Sequence, residues 1–325
     1  MTARSGDVGR PQPIRSPSFV GRQAELAALA EALHGPRAVV LIEGESGIGK
    51  SRLLREFLAG ATACGLGALL AVCPPFREPF TLGPVVDALR QATDSVQGLT
   101  LSPLAGALRP LFPEWAAQLP PALEPAEDAT AARHRLFRAI VELLDCLRVR
   151  TLIVEDVHWA DEATLEFLLF LATSNSQERS LVVTYRLEDV PDGSLLLRLS
   201  SRLPIGTAQL RLALAPLDVT DTEALVASMF PGSQVSREFA EFVHEHTDGV
   251  PLAVEESLRL MHERADLTRR DGAWVRRRLH EIAVPPTVRD AVLERAGRLG
   301  PDAQAVLHAA AVLSDPTDET TLLAI

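Results

Sequence analysis

The chain has 325 residues, 47% hydrophobic and 23% charged, a size and composition that predict two or three folded domains and exclude wholesale disorder. Its net charge of −11 argues against nucleic-acid binding by this segment, because nucleic-acid binders usually carry a basic surface. Three cysteines without C-x-x-C spacing, no secretory signal and no long apolar run together predict a cytoplasmic protein that does not enter a membrane.

The N-terminal part of the chain leads into a first strand. Residues 1–16 are rich in proline, glycine and arginine and predict a flexible tail. An amphipathic helix is predicted from Gln23 to Leu33. The apolar, largely β-branched residues 38–43 then predict a buried strand.

A glycine-rich motif follows this strand directly. Residues 44–51, GESGIGKS, fit G-x-x-x-x-G-K-[ST], and a helix is predicted from there to residue 63. Glycines let backbone N–H groups approach phosphate oxygens, and the helix N-terminus adds a favourable dipole. Lys50 is the only lysine beside 31 arginines; its compact ammonium suits the β- and γ-phosphates, and the Ser51 hydroxyl suits Mg²⁺. The predicted nucleotide contacts are Gly44, Glu45, Ser46, Gly47, Ile48, Gly49, Lys50, Ser51 and Arg52.

An acidic pair ends a later strand. Residues 66–73 predict the second strand, and residues 79–149 predict helices that cover the sheet, interrupted by prolines. The apolar strand at 151–154 is followed by Glu155 and Asp156, which a parallel sheet would place at the edge where ligands bind. We expect Glu155 near Mg²⁺ and Asp156 near the attacking water, but the residues alone leave these two roles interchangeable.

The next strand is predicted at 180–185, and it ends at Arg186. An arginine there can reach a γ-phosphate and report its presence; an ordinary surface arginine is the equally weighted alternative. Asp161 is predicted to cap a helix. His158 and Trp159 could line the site, but a packed Trp159 with a hydrogen-bonded His158 is the favoured interpretation.

The C-terminal third predicts further small elements. A last sheet strand is expected at 209–214, and Thr220 with Glu223 predicts a capping box that starts a helix. Asp271-Gly272 predicts a hairpin. Its arginines could form a phosphate-binding patch, but a solvated surface is the favoured interpretation. Helices are predicted at 287–298 and 302–313, and the apolar C-terminal residues suggest a fragment of a longer protein.

Several motifs together resemble the STAND class of AAA+-related signalling ATPases. The resemblance rests on Val20-Gly21-Arg22, GESGIGKS, LIVEDVHWAD, VVTYR and TDGVPLA, and it covers nearly the whole chain. The chain is most similar to the nucleotide-binding module of large ATP-binding LuxR-type transcriptional regulators.

The resemblance implies an α/β fold. It implies a P-loop NTPase core with a parallel five-stranded sheet flanked by helices, at residues 17–207. Residues 208–283 would supply the last core strand, a small helical lid domain and the hairpin. Residues 284–325 would begin a winged-helix domain.

The resemblance also implies contacts to the base. Val20, Gly21 and Arg22 would lie against adenine and ribose, and Pro251 would pack on the base from the lid. Local chemistry explains this last motif without a nucleotide, since Gly249 can end a helix and Pro251 can begin one. Many relatives have aspartate where this chain has Glu155, which puts the hydrolysis rate in question more than binding.

The implied function is an ATP/ADP- and Mg²⁺-dependent signalling switch with slow ATP hydrolysis. ADP would hold an inactive form and ATP a self-associating form, with an unknown inducer acting through a region outside the chain. DNA would be contacted only by a helix-turn-helix that is absent here. The alternatives are a STAND scaffold or defence sensor and, more remotely, a small-molecule kinase, for which the sequence shows no acceptor site with its own base.

Overall fold

The computed structural model describes most of the chain. The described residues are 15–63, 67–75, 80–126, 128–174, 178–191, 193–199, 203–230, 234–263, 267–270, 273–276, 293, 296–297 and 300–313. The predicted tail up to residue 14, the turn Asp271-Gly272 and most of the helix predicted at 287–298 lie outside these residues.

A parallel five-stranded sheet forms the centre of the first compact unit, residues 22–215. Its strands, in chain order, are Ala38–Glu43 (β1), Ala68–Val72 (β2), Thr151–Glu155 (β3), Ser180–Tyr185 (β4) and Ala208–Ala213 (β5). They lie in the order β2-β3-β4-β1-β5, and every neighbouring pair is parallel. The prediction of a parallel five-stranded α/β sheet is therefore confirmed. The carboxyl ends of β1, β3 and β4 meet at one edge.

The burial of the strands follows from their places in the sheet. The central strands β1, β3 and β4 are buried almost throughout, which explains why their sequences are continuous apolar runs. The edge strand β5 is largely exposed and alternates in burial. The sheet therefore presents its three most apolar strands to the helices on its faces.

Among the described residues, five α-helices accompany this sheet. They are Gln23–His34 (α1), Lys50–Ala63 (α2), Gly83–Ala92 (α3), Ala129–Cys146 (α4) and Glu162–Thr173 (α5). Short 3-10 helices at Pro103–Leu108 and Pro113–Trp115 occupy the proline-containing segment between α3 and α4. Phe112 and Trp115 stack there with ring centroids 4.3 Å apart, and both belong to the main apolar core.

The second compact unit contains residues 216–325 together with residues 1–21. Its described helices are Val219–Met229 (α6), Arg237–Thr247 (α7), Pro251–Glu263 (α8) and Pro301–Leu313 (α9). Its strands are Gln234–Val235 (β6), Leu267–Arg270 (β7) and Ala273–Arg276 (β8), in the order β6-β8-β7. β7 and β8 pair antiparallel on either side of Asp271-Gly272, as the hairpin prediction requires. The lid and winged-helix assignments stay predictions.

Two helix boundaries in this unit test local sequence signals. The predicted capping box is wrong, because α6 begins at Val219 and the Asp218 carboxylate accepts the hydrogen bond from Asp221 N–H at 2.7 Å. Asp218 stands two residues before the predicted cap and satisfies the free N–H groups of the first turn. The prediction that Gly249 ends one helix and Pro251 begins the next is confirmed, since Gly249 has φ 66° and Pro251 is the first residue of α8.

No helix among the described residues combines the length and the apolar character that crossing a bilayer requires.

Candidate functional site

The loop between β1 and α2 has the backbone geometry that its glycines allow. Gly47 and Gly49 have φ values of 75° and 103°, a region that side chains with a Cβ rarely adopt. At Gly44, a Cβ would lie 2.9 Å from Ile48 Cγ2 and 3.2 Å from the Leu214 carbonyl oxygen. The loop is thus closed on its inner side by its own buried Ile48 and by the end of β5.

Lys50 crosses the start of this loop. Its Nζ donates hydrogen bonds to the carbonyl oxygens of Gly44 at 2.6 Å and Glu45 at 2.8 Å. The side chain is buried, with a residue exposure of 7%. The ammonium is therefore fixed at the loop by backbone acceptors, in the place where the sequence predicts phosphate oxygens.

The two predicted metal-ligand residues are in direct contact. The Ser51 hydroxyl, in the first turn of α2, donates a hydrogen bond to Glu155 Oε2 at the end of β3. Glu155 is buried, and the contact joins residues that are 104 positions apart in the chain. Hydroxyl and carboxylate oxygens are ligands that Mg²⁺ accepts, and this ion usually keeps waters and substrate phosphates as its other ligands. The residues therefore fit a nucleotide-bound Mg²⁺.

The surroundings of this pair bear on how many ligands the protein could give a metal ion. Within the described part of the chain, no group of three or more histidine, cysteine, aspartate and glutamate side chains could hold a metal ion. An ion bound at Ser51 and Glu155 would accordingly depend on the nucleotide for several of its ligands.

Asp156 follows Glu155 in a left-handed conformation, with φ 53° and ψ 44°. Its N–H donates a hydrogen bond to Thr184 Oγ1 at 2.9 Å, which ties the end of β3 to β4. Burial raises the pKa of Asp156 above its ordinary value; the positive charges of Lys50 and Arg186 oppose this shift, and Asp189 adds to it. A backbone held in this sparsely populated region, beside two cations, is typical of a functional carboxylate.

Arg186 belongs to a small charged cluster with His158 and Asp189, called here the Arg186 cluster. The backbone N–H of Arg186 donates a hydrogen bond to His158 Nδ1 at 3.4 Å, and Nη1 of the Arg186 side chain lies 3.5 Å from Asp189 Oδ2. His158 Nε2 lies 3.7 Å from the same Asp189 oxygen, and the imidazole is fully buried. The prediction of a packed Trp159 with a hydrogen-bonded His158 is confirmed, and Asp189 is a further neighbour of the imidazole.

Asp161 caps α5, as predicted. Its Oδ1 accepts hydrogen bonds from the Thr164 N–H at 3.0 Å and from the Leu82 N–H at 3.2 Å. The cap therefore also joins the segment after the acidic strand to the start of α3.

A second charged cluster at the same edge was not predicted. Glu43, Tyr185 and Arg211, called here the Glu43 cluster, end or line the adjacent strands β1, β4 and β5. Glu43 Oε2 accepts hydrogen bonds from the Tyr185 hydroxyl at 2.7 Å and from Arg211 Nη2 at 2.6 Å. Burial alone would raise the pKa of Glu43, but the hydrogen bonds from Arg211 and Tyr185 bring it below its usual value. Burial and the bond to Glu43 raise the pKa of Tyr185 to about 12.

The remaining predicted site residues have local roles that are independent of a nucleotide. Arg22 is buried and donates to the Ala215 carbonyl and to Glu25, the latter at 2.9 Å. Gly21 has φ 69°, and Val20 packs against the apolar core of the second unit. Ser46 is half-buried in the loop, and Arg52 is exposed on α2. The adenine and ribose contacts of Val20, Gly21, Arg22 and Pro251 stay predictions.

The sheet order, the loop and the Ser51–Glu155 contact define a P-loop NTPase core. Residues 18–184 match the family described as AAA ATPase domain. The chain belongs to this AAA ATPase family.

Individual relatives are more distant. The uncharacterized protein R02095 of Rhizobium meliloti (strain 1021) is 28% identical over 261 residues, which cover 73% of this chain. The match covers 24% of that protein, so the chain spans about a quarter of its length. A RuvB variant of Thermotoga maritima is 14% identical with a TM-score of 0.44, and the match covers 94% of this chain and 82% of the other. A DNA replication initiation factor is 17% identical with a TM-score of 0.42, covering 75% and 62% of the two chains.

Proposed function

We propose that this chain is the ATP/ADP-binding switch module of a larger cytoplasmic regulator, with slow Mg²⁺-dependent hydrolysis of ATP. The observation that carries the proposal is the contact between Ser51 and Glu155 beside the buried Lys50 ammonium. These three groups supply one cation for the phosphates and two oxygens for the metal, which is the set that nucleotide-phosphate binding requires.

Each residue has a distinct task in this proposal. Lys50 exchanges its carbonyl acceptors in the loop for β- and γ-phosphate oxygens, which are stronger acceptors because they are charged. Ser51 and Glu155 hold Mg²⁺, and the ion when bound would neutralise charge on the phosphates. Asp156 accepts a proton from, or orients, the attacking water. Its raised pKa makes it a stronger base than an ordinary aspartate.

Two features support slow turnover. Arg186, the residue proposed to contact the γ-phosphate, lies beside Asp189 rather than pointing as a free cation into solvent. Glu155, the residue on the metal side, is already hydrogen-bonded to Ser51. Both contacts must change before the reacting geometry is complete, which slows hydrolysis. Slow hydrolysis prolongs the ATP-bound state, and a switch needs that state to last long enough to act on its target.

The proposed role in regulating transcription rests on the sequence motifs and on the greater length of a relative. The resemblance to large ATP-binding LuxR-type regulators favours a transcriptional activator whose helix-turn-helix lies outside these residues. A relative more than three times as long leaves room for such a region and for the inducer site, since the 261-residue match covers 24% of it. We propose that ATP favours self-association and ADP the inactive form; a scaffold or defence sensor would share this step and differ only in its output.

The test compares self-association in the two nucleotide states. The double variant Glu155→Gln with Asp156→Asn should bind ATP without hydrolysing it, because both carboxylates lose their charge while the loop keeps Lys50. Light scattering should then show larger particles with Mg²⁺-ATP than with Mg²⁺-ADP. Lys50→Ala should bind neither nucleotide by calorimetry and should show no such difference.

The matched control is Arg237→Ala, which removes one exposed cation on α7 and should behave as the wild type. Nucleotide binding by Lys50→Ala at wild-type affinity would refute the phosphate site. Equal particle sizes with ATP and ADP in the trapped variant would refute the switch. Fast turnover of one defined small acceptor, at about 1–100 s⁻¹, would instead indicate a kinase.

A further inference from the structure

Arg186 and the phosphate loop begin at neighbouring points of the sheet edge. Glu43 of β1 is the register partner of Tyr185 of β4, so Gly44 and Arg186, the next residues in each chain segment, leave the sheet side by side. Asp156 lies close enough to feel the charges of Lys50, Arg186 and Asp189 together. The Arg186 cluster is therefore next to the place where a nucleotide's terminal phosphate would lie.

The guanidinium of Arg186 is unusually poorly paired for its burial. Its side chain is only 18% exposed, but its contact to Asp189 Oδ2 is 3.5 Å long. Its Nε is buried and has no hydrogen-bond partner within the described residues. Arg179 of the same unit shows the contrast: it is 4% exposed, and it contacts Asp145 at 2.5 Å and the Val149 carbonyl at 2.8 Å.

A buried guanidinium with a long contact and an unused donor favours an incoming anion. Arginine offers five N–H donors in a planar fork, and a phosphate with several charged oxygens satisfies more of them than a carboxylate oxygen at 3.5 Å. Asp189 lies three residues after Arg186, at the end of the 3-10 helix Leu187–Asp189. Exchange of partners therefore needs only rotation of the Arg186 side chain.

We propose that Asp189 holds Arg186 while the γ-phosphate is absent, and that a nucleoside triphosphate takes Arg186 from it. Asp189 thereby sets how strongly the site distinguishes ATP from ADP. His158 Nε2 lies 3.7 Å from the same carboxylate oxygen, so Asp189 keeps a neighbour when Arg186 leaves. This inference rests on the proposed nucleotide-binding function and adds a specificity-determining residue to it.

The experiment measures affinities by calorimetry, with Mg²⁺ and either ADP or a slowly hydrolysed ATP analogue. Asp189→Asn keeps the shape of the side chain and removes its charge, so Arg186 is released more easily. We expect the analogue to bind about fivefold to tenfold more tightly, the size of one ordinary hydrogen bond, because the contact that is released is long. ADP affinity should stay within about twofold, because a diphosphate does not use Arg186.

Three control variants separate this exchange from a general loss of negative charge. Glu188→Gln removes the same charge one residue earlier, on an exposed side chain, and should leave both affinities unchanged. Arg186→Gln should reduce the preference for the analogue. In the double variant Arg186→Gln with Asp189→Asn, the increase in analogue affinity caused by Asp189→Asn should disappear, because the guanidinium that would contact the phosphate has been removed.

The outcomes distinguish the inference from the function on which it rests. Wild-type protein that binds neither nucleotide refutes both. Wild-type protein that binds both, with an equal gain for ADP and the analogue in Asp189→Asn, or a gain that persists without Arg186, refutes the exchange alone. Circular dichroism checks folding, and Asp189→Ser replaces Asp189→Asn if that variant does not fold.

Discussion

Two clusters at one edge of the sheet use similar groups in opposite ways. The Glu43 cluster joins a carboxylate, an arginine and a tyrosine ring through contacts of 2.6, 2.7 and 3.1 Å. The Arg186 cluster joins a carboxylate, an arginine and an imidazole through side-chain contacts of 3.5 and 3.7 Å and a hydrogen bond of 3.4 Å from the Arg186 backbone. The groups of the Glu43 cluster are satisfied within the protein, whereas the Arg186 cluster contains a buried donor, Arg186 Nε, without a hydrogen-bond partner among the described residues.

The physical reason lies in what burial does to charge. A buried ionic contact stabilises a fold only when its geometry is tight enough to offset desolvation. The Glu43 contacts are short, and the Arg211 side of the cluster is exposed, so little desolvation opposes them and they link β1, β4 and β5. The long contact of Arg186 does not meet this condition, so this cluster costs stability that nucleotide binding would recover.

The largest expected difference follows from Arg186→Gln. Loss of the guanidinium should lower single-turnover phosphate release by roughly 10²- to 10³-fold, because an arginine at the γ-phosphate stabilises the transition state. The free energy of unfolding from urea titration should fall by less than about 0.5 kcal/mol, or rise, because the charge is poorly paired. A loss of stability above about 2 kcal/mol with unchanged phosphate release would assign Arg186 a structural role instead.

Tyr185→Phe should lower stability and leave nucleotide binding nearly unchanged, the opposite of Arg186→Gln, and the effect should be smaller. Removing the hydroxyl should lower the free energy of unfolding by about 1–2 kcal/mol, since a partly buried hydrogen bond to a charged group is lost. Nucleotide affinity should stay within about twofold. Arg211→Met is the companion variant, and its cost should be below about 1 kcal/mol because Arg211 is 55% exposed. A large loss of affinity in Tyr185→Phe would place the Glu43 cluster in the binding site.

The smallest expected effect is a shift in the titration of Tyr185. It is the only tyrosine in the chain, so phenolate absorbance reports it alone. We expect a pKa of about 12 in the folded protein, with Glu43→Gln lowering it only in part, because burial is the larger cause.

The same shift sets the sign of the stability change with pH. The folded pKa is raised above the unfolded value of about 10, so this contribution to stability is complete below that pH. It is lost as the pH rises through about 12. Wild-type phenol that titrates near the unfolded value would contradict the Glu43–Tyr185 contact.

Much of the fold and of the phosphate site could be predicted because the signals are local. Residues 38–43, 151–155 and 180–185 are buried strands with apolar sequences, and the glycine motif lies between a strand and a helix as expected. The Asp161 cap was likewise confirmed by its hydrogen bond to the Thr164 N–H. These features depend on neighbouring residues only.

Features that depend on register could not be predicted in the same way. The Glu43–Tyr185 hydrogen bond joins residues 142 positions apart and requires the alignment of β1 with β4. The cap of α6 failed for a different reason, since Asp218 and Thr220 both offer an oxygen and only geometry selects between them. Asp189 is close to Arg186 in sequence, but its role becomes visible only with the long contact and the unused donor.

The hydrogen bonds of Lys50 to its own loop give this chain a built-in chemical probe. A single lysine among 325 residues means that acylating reagents have one side-chain amine to modify, and that amine is buried against two carbonyl oxygens. Mass spectrometry of acylated protein would therefore give the fraction of molecules in which Lys50 has reacted. If acylation of Lys50 slows further as triphosphate is added, its rate would report the fraction of molecules whose phosphate loop is occupied.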